Sequence, residues 1–183
     1  MVIKRSMRFK HIIKIKNEIL EILDNNQEIK RLCTYLTDTP LSTSAIVEGK
    51  RVRQPDITKS LLKENLIAYG FDNNLLKEQK VYIFCGLANI SFTKKSSMDN
   101  NLFILTVFVS LEFNELELYG DERIVAIASR IADELDDTSL DKGMSNIKIS
   151  GTCNYGRYDK KDFLVLSIPF EILTSSGQEI LNN

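Results

Sequence analysis

Histidine, cysteine and acidic residues are the side chains of this sequence that could carry chemistry, but their spacing matches no catalytic or metal-binding motif. His11 is the single histidine, so any Ser-His-Asp or Cys-His arrangement would have to use it, and we expect it to be an ordinary exposed side chain. A zinc site needs about four ligands, mostly Cys or His, at short spacing, whereas Cys33, Cys85 and Cys153 are far apart. We expect these thiols to be reduced and buried. The sequence therefore predicts no catalytic, cofactor-binding or metal-binding residues, and the chain is not expected to be an enzyme.

Phosphate-binding and calcium-binding patterns are also incomplete. The sequence has no G-x-G-x-x-G run, and Gly49-Lys50 lacks both the upstream glycine and the following hydroxyl residue of a P-loop. The acids between Asp133 and Asp141 have the wrong spacing for a calcium loop, and no closing glutamate follows them. We therefore expect no resident nucleotide, cofactor or metal ion.

Charge is balanced over the whole chain but unevenly distributed along it. The 24 Lys and Arg against 25 Asp and Glu give a net charge of -1, which does not indicate nucleic acid or a membrane surface as a partner. Residues 1–16 nevertheless contain six basic residues and no acid, whereas residues 112–141 contain ten acids and two arginines. No apolar run approaches the ~20 residues of a membrane-spanning helix, and no secretion signal opens the chain. We expect synthesis in the cytoplasm and no membrane partner.

The acidic and basic stretches are the candidate contact surfaces. Several acids stand at the carboxyl end of a predicted helix, where the helix dipole disfavours negative charge by up to ~1 kcal/mol each. Either this end is simply solvated, or it meets a basic surface in a head-to-tail contact that closes a ring of subunits. The basic stretch has the same two alternatives, with direct contact to nucleic-acid phosphates as a less favoured third. The candidate interface residues are Lys4, Arg5, Arg8, Lys50, Arg51, Arg53, Glu115, Glu117, Asp133, Asp136 and Asp137.

Residues 102–135 form the segment around which these surfaces must be positioned. Every odd position from Phe103 to Phe113 is apolar, which predicts a strand with one face in a core. Beyond Gly120 the apolar residues recur every three or four positions up to Leu135, which predicts an amphipathic helix, with Asp121 as its N-cap. A strand that delivers a helix onto its own sheet is a two-layer unit.

The segments before residue 80 are predicted to be mostly helix and loop. Apolar spacing predicts an amino-terminal helix over residues 12–23 and a second helical piece that begins after Asn26, its N-cap, and ends near Thr39. Residues 40–60 are predicted to be a long loop. A short helical piece is expected to follow and to end at Tyr69.

The remaining segments are predicted to be strands. A nearly continuous apolar run over residues 81–87, followed by alternation, predicts a strand over residues 81–93. Alternating apolar residues predict strands over residues 147–153 and 164–172, and residues 154–160 are expected to form a turn. Pro169 cannot donate to a sheet ladder, which indicates an exposed edge or a bulge at that position.

Together these elements predict an α/β (α+β) fold of two layers. We expect a mainly antiparallel sheet of four to five strands, with the amino-terminal helix and a second helix packed on it. The whole chain, residues 1–183, is predicted to be a single domain. It would carry a basic amino-terminal arm (1–11), an inserted loop region (40–78) and a loose carboxyl tail (174–183).

The order of elements resembles the neck proteins of tailed bacteriophages, and it is most similar to the tail terminator and tail-completion family. The resemblance rests on the amino-terminal helical run 19–32, the strand 105–113, the stretch Tyr119-Gly120-Asp121-Glu122-Arg123-Ile124, the helix 126–135 and the closing pair of strands. Residues 102–172 are the most similar section, and residues 12–36 match more loosely. Residues 40–78 look like an addition to the usual smaller domain.

This resemblance implies a structural virion protein rather than an enzyme. Members of the family form rings, usually of six subunits, at the head-proximal end of the tail, where they end tube polymerisation and join the tail to the head connector. The implied partners are other copies of the chain, the tail tube protein and the connector or other neck proteins, and the implied location is the virion, assembled in the cytoplasm of the bacterial host. The alternatives are a head-completion or connector protein on the head side, a nucleic-acid-binding regulator that uses the basic arm, and an enzyme of unknown type.

Overall fold

A computed structural model describes residues 2–69, 76, 80–91, 98–117, 121–141, 145–158 and 161–175. Within these ranges the side chains of residues 2–9, 90–91, 98–99 and 175 are not described. The described residues form an α+β fold in which helices cover a large, mainly antiparallel sheet, so the predicted fold class is confirmed.

Three α-helices form in the described part of the chain: α1 (Val2–Asn25), α2 (Gln27–Thr34) and α3 (Arg123–Leu135). Asn26 separates the first two, because its side-chain oxygen accepts a hydrogen bond from the Ile29 N–H at 2.9 Å and so caps α2, as predicted. Asp121 was predicted to cap α3, and this was wrong. The Asn114 side chain does so instead, accepting from the Ile124 N–H at 3.1 Å.

Nine strands are present among the described residues, and seven of them form one sheet. The strands are β1 (Ser44–Val47), β2 (Lys50–Arg53), β3 (Leu66–Ile67), β4 (Val81–Ser91), β5 (Met98–Ser110), β6 (Ser139–Leu140), β7 (Ser145–Ile149), β8 (Asn154–Tyr158) and β9 (Phe163–Ser175). The sheet order is β3-β4-β5-β9-β7-β6. β8 pairs with residues 163–167 of β9, on the same edge as β7, which pairs with residues 170–174. Among the strand pairs that the structure describes, only β3 and β4 run parallel. The sheet exceeds the four to five strands expected because two-residue strands extend both of its edges and β8 is an additional strand.

The centre of the sheet is the antiparallel pair β5 and β9, each 13 residues long. The predicted strand was too long at its carboxyl end, since β5 ends at Ser110 and residues 111–113 turn into a short 3-10 helix. Residues 154–160, predicted to be a turn, contain β8. Pro169 lies opposite the gap between the end of β7 and the start of β8, and its carbonyl accepts from the Ser150 N–H at 2.9 Å. The backbone N and O of a residue in an antiparallel strand point to the same side. The nitrogen of Pro169, which has no hydrogen to donate, therefore faces that gap, where no ladder hydrogen bond is required.

Both faces of the sheet are covered by apolar side chains. The main core packs the helices against one face through fully buried residues at the predicted three- and four-residue spacing of α3: Ile124, Ile127, Ile131 and Leu135. The other face carries a smaller, mainly aromatic cluster: Ile67, Leu76, Tyr82, Phe84, Phe108 and Phe163. The Phe84 and Phe108 rings meet edge to face with their centroids 5.5 Å apart. Burial on both faces explains why Phe108 breaks the simple alternation of β5.

Residues 40–60 are a β-hairpin and its flanks rather than a long loop. β1 and β2 pair antiparallel through a two-residue turn, Glu48-Gly49, in which both residues have positive φ (50° and 77°). This is the backbone combination of a type I′ turn, and the second position suits glycine. The predicted helical piece ending at Tyr69 was also wrong, since this segment contains turns and β3.

The two chain ends fall partly outside the described residues. The backbone of residues 2–11, the predicted basic arm, continues α1 as helix. Thr174 and Ser175 belong to β9, and residues 176–183 of the predicted tail lie outside the described ranges, as do residues 70–75 and 77–79 of the predicted insertion.

Candidate subunit interface

The arginine at the first turn of α3 holds several segments together from a buried position. Arg123 has no exposed surface. Its guanidinium donates to the carbonyl oxygens of Phe113 (2.5 Å), Leu32 (2.7 Å) and Tyr35 (2.9 Å), and also to that of Thr37. Burial lowers the pKa of this guanidinium to about 10, so it remains charged at neutral pH. A buried charge surrounded by carbonyl dipoles is satisfied only while all these segments stay in place.

A second buried arginine and a buried glutamine fix the base of the hairpin. Arg31 on α2 donates to the Pro40 carbonyl at 3.1 Å and to the Ser42 carbonyl. The amide of Gln54 lies 2.6 Å from the Thr37 hydroxyl. These contacts come from side chains that are at most 6% exposed, so they hold residues 35–54 against α2. The hairpin therefore projects from a rigid base.

The β1–β2 hairpin itself is almost entirely exposed. Of residues 44–53 only Ala45 is buried. Ile46 is 61% exposed, and Val47 and Val52 are also exposed. Their neighbours on the same two strands are the three predicted interface cations Lys50, Arg51 and Arg53. The structure thus brings these cations together with three exposed apolar side chains on one projecting element.

A groove lies beside the segment that leads into the hairpin. It has a volume of about 670 Å³ and runs between residues 38–42 on one side and residues 116–130 on the other. Its apolar lining includes Pro40, Leu41, Leu116 and Ala126, and its acids are Asp38, Glu117, Asp121 and Glu122. The two walls are joined by the Glu117 N–H, which donates to the Asp38 carbonyl at 3.0 Å. Arg130, the one base of the lining, is already paired with Glu28 on α2. The groove is therefore acidic with an apolar floor.

Most of the charged side chains of the hairpin and of the groove form no close ion pair within the described part of the chain. The exposed acids Asp38, Glu117 and Asp121 take part in no ion pair there, and neither do the hairpin cations Lys50, Arg51 and Arg53. Glu122 differs, because its carboxylate accepts from the Tyr155 hydroxyl at 2.6 Å, and this bond raises the pKa of Tyr155. The predicted candidate Glu115 is exposed and forms an isolated bridge with Glu122.

The other predicted acids are used inside the subunit. The Asp136 carboxylate accepts from the Ile149 N–H at 2.9 Å, and Asp137 pairs with Lys148 at 3.2 Å. Asp133 lies 3.7 Å from Arg130, one turn away on α3. Asp136 and Asp137 therefore help to join the end of α3 to β7, which explains their place at a helix end that the dipole disfavours.

Part of the basic amino-terminal stretch is likewise engaged internally. The side chains of Lys4, Arg5 and Arg8 lie outside the described residues. Lys16 donates to the Ala68 carbonyl at 2.7 Å. Lys14 bonds to the buried carboxylate of Asp141, and this bond raises the pKa of Lys14. At least two of the six basic residues of this stretch therefore bond α1 to other segments of the same subunit.

The single histidine belongs to the same ionic cluster. His11 is partly buried rather than exposed as predicted, and its Nδ1 lies 3.1 Å from Asp141. The backbone N–H of Asp141 donates to the Glu18 carboxylate at 2.9 Å. The cluster ties α1 to the residue that follows β6, and it places a histidine beside a carboxylate.

Two of the three cysteines are buried in the fold. Cys33 and Cys85 are buried as predicted, and burial raises the pKa of each thiol to about 12. Cys153 is exposed, against prediction. No cluster of three or more His, Cys, Asp or Glu suited to a metal ion occurs in the described ranges. Among the helices described, none is both long enough and apolar enough to cross a membrane.

Sequence reasoning missed the hairpin, the groove and both buried arginines. The hairpin did carry a signal, namely a Glu-Gly turn between short runs containing β-branched residues, Ala45 to Val47 and Val52. The groove had none, because its two walls are far apart in the chain and meet only in the folded subunit.

Comparison with protein families identifies the group to which the chain belongs. A family model described as YomW matches residues 26–172, a range that contains the hairpin and the groove but not α1. No curated protein matches the chain. The chain belongs to the YomW family, a phage-derived group of the Bacillus prophage type.

Proposed function

We propose that this YomW-family chain is a structural virion protein that forms a hexameric ring at the head-proximal end of a phage tail. In this proposal the ring ends polymerisation of the tail tube and joins the tail to the head connector. Its partners are further copies of the chain, the tail tube protein and the connector or other neck proteins. It acts by geometry and not by catalysis, and it is assembled in the bacterial host.

The observation that carries this proposal is the pair of unlike surfaces on one rigid subunit. The basic and apolar hairpin β1–β2 projects from the body, and the groove between residues 38–42 and 116–130 is acidic and apolar. Two different, complementary surfaces on one chain give a head-to-tail contact, and such contacts generate rings when the rotation between subunits closes. A phage-derived protein with this property fits an assembly role.

The core of the subunit gives further support. The strand β5 and the helix α3, which carry the resemblance to tail terminator proteins, are packed as one two-layer unit with four fully buried α3 residues against the sheet. A rigid unit of this kind suits a ring that must fix the distance between neighbours. The basic amino-terminal stretch argues less well for nucleic-acid binding, because Lys14 and Lys16 are bonded inside the subunit.

The proposal can be tested with purified chain and tail tubes from the same phage. We expect the chain to stop tube elongation and to add one disc of density to one tube end in negative stain. Native mass spectrometry of the disc should give six copies. Tubes of unchanged length with no bound chain would contradict the proposal. Salt-sensitive binding of the chain to DNA, without any effect on tubes, would favour the nucleic-acid-binding regulator instead.

A further inference from the structure

We propose that the β1–β2 hairpin of one subunit docks into the acidic groove of the next subunit, and that this contact holds the ring together. This inference rests on the proposed function and deepens it, since it names the two surfaces and their pairing. The occupant of the groove is thus a second copy of this chain.

Charge complementarity is the first argument for this occupant. The hairpin presents Lys50, Arg51 and Arg53, and the groove presents Asp38, Glu117 and Asp121. Each of these six side chains is exposed, and none has an ion-pair partner within the residues that the structure describes. Because neighbouring strand residues point to opposite faces, Arg51 and Arg53 lie on one face of the hairpin and Lys50 on the other. Contact of the Arg51 and Arg53 face with the groove acids would compensate charge on both surfaces and fix the register of the contact.

Apolar complementarity is the second argument. Ile46 is exposed on the same face of the hairpin as Arg51 and Arg53, and Val47 and Val52 are exposed on the other face. Isolated β-branched side chains on a two-stranded hairpin bury little area by themselves. The groove offers Pro40, Leu41, Leu116 and Ala126 as a floor, in a volume of about 670 Å³. A narrow hairpin can lay its Ile46 face into a groove of this size, since its strands lie only about 5 Å apart.

The connectivity excludes docking within one subunit. Residues 38–42 form one wall of the groove, and only Thr43 separates this wall from β1. Arg31 and Gln54 hold the two ends of the hairpin against α2 and residue 37. The hairpin therefore has too little free chain to fold back over its own wall, so a hairpin that occupies this groove belongs to another subunit.

The experiment compares charge-reversal variants at the two surfaces with matched controls. Arg51→Glu reverses one hairpin cation, and Lys63→Glu reverses an exposed cation elsewhere. Glu117→Lys reverses one groove acid, and Glu21→Lys reverses an exposed acid on α1. All four side chains are exposed, so circular dichroism should show unchanged folding. Assembly is measured by mass photometry of the chain alone and by ring formation on tail tubes.

We expect Arg51→Glu and Glu117→Lys each to weaken assembly by at least about tenfold, and both controls to assemble like the wild type. A mixture of Arg51→Glu with Glu117→Lys should recover assembly, because alternating subunits pair one reversed contact with one wild-type contact. Wild-type behaviour of both single variants, or no recovery in the mixture, would overturn the inference.

The same experiment separates this inference from the proposed function. If the wild type forms rings and the two variants do so equally well, the ring remains and the hairpin contact is wrong. If the wild type assembles neither alone nor on tubes, the proposed function fails and the inference fails with it. A reciprocal dimer with the same charge dependence would keep the contact and overturn the ring.

Discussion

Arg123, at the start of α3, donates a hydrogen bond of 2.7 Å to the carbonyl of Leu32 near the end of α2. The two residues are 91 positions apart in the chain, and the same guanidinium also bonds to the carbonyls of Phe113, Tyr35 and Thr37. One buried charge thus joins the segment that leads into the hairpin to the helix that lines the groove. Both proposed contact surfaces depend on it for their relative position.

Replacing Arg123 by methionine should strongly destabilise the subunit. The substitution leaves four carbonyl groups without their donor. Each buried acceptor that is left unsatisfied costs about 1–3 kcal/mol. Urea denaturation followed by circular dichroism measures this loss. The control is Arg157→Met, which removes an exposed ion pair with Asp162 and should cost less than about 1 kcal/mol. Equal losses for the two variants would show that Arg123 does not have the structural role described.

The hydrogen bond that the Asp136 side chain accepts should contribute more to the stability of the subunit than its negative charge does. Its carboxylate accepts from the Ile149 N–H, so Asp136→Ala should lose about 1 kcal/mol of unfolding free energy. Asp136→Asn keeps an oxygen acceptor and should lose less. Assembly of Asp136→Asn should equal that of the wild type, because this residue is assigned here to the subunit and not to the interface. Reduced assembly of a stable Asp136→Asn protein would show instead that Asp136 contributes to the subunit interface.

The three cysteines should differ sharply in reactivity. Cys153 is exposed, whereas Cys33 and Cys85 are buried with the pKa of each thiol raised to about 12. A chromogenic disulfide reagent at neutral pH should therefore modify one thiol per chain quickly, because attack requires an accessible thiolate. Cys153→Ser should abolish the fast reaction, and denaturant should expose the remaining two thiols. Rapid modification of two or three thiols in the native protein would contradict the packing of α2 and β4.

Alkaline pH should destabilise the fold through the same buried thiols. Each has a pKa raised from 9.0 when unfolded to about 12 when folded, so its contribution to stability is fully present below pH 9 and is lost as the pH rises towards 12. The slope is up to about 1.4 kcal/mol per pH unit for each thiol. Urea midpoints measured from about pH 8 to about pH 11 should fall less steeply for Cys33→Ala than for the wild type. Parallel pH profiles for the two proteins would rule out this linkage.

The elements predicted correctly from sequence are those defined by the spacing of apolar residues within one short segment. The spacing of Ile124, Ile127, Ile131 and Leu135 identified α3, and the alternation over β5 identified the central strand. The polar composition of residues 154–160 indicated a turn, but there pairing with the long strand β9 stabilises β8. Tertiary contacts override composition in such a segment.

The candidate site was less predictable because it depends on contacts between distant segments. From sequence alone, an arginine at the first turn of a helix is expected to be solvated. The burial of Arg123 becomes evident only in the folded structure, where carbonyls of residues 32–37 surround it. Conversely, Asp136 and Asp137 were expected from sequence to be available for contact with a neighbouring subunit. In the structure, residues of β7 are the partners of both. The hairpin cations Lys50, Arg51 and Arg53 were identified as candidates from charge alone, without the apolar residues that accompany them.

The central claim is that this chain forms a ring at the junction of the phage tail and head. The most direct test is negative-stain imaging of phage particles in which the chain carries a gold-binding label at its carboxyl end. The account predicts label in a single ring at the head-proximal end of the tail tube. Label distributed along the tube, or absent from the particles, would contradict it.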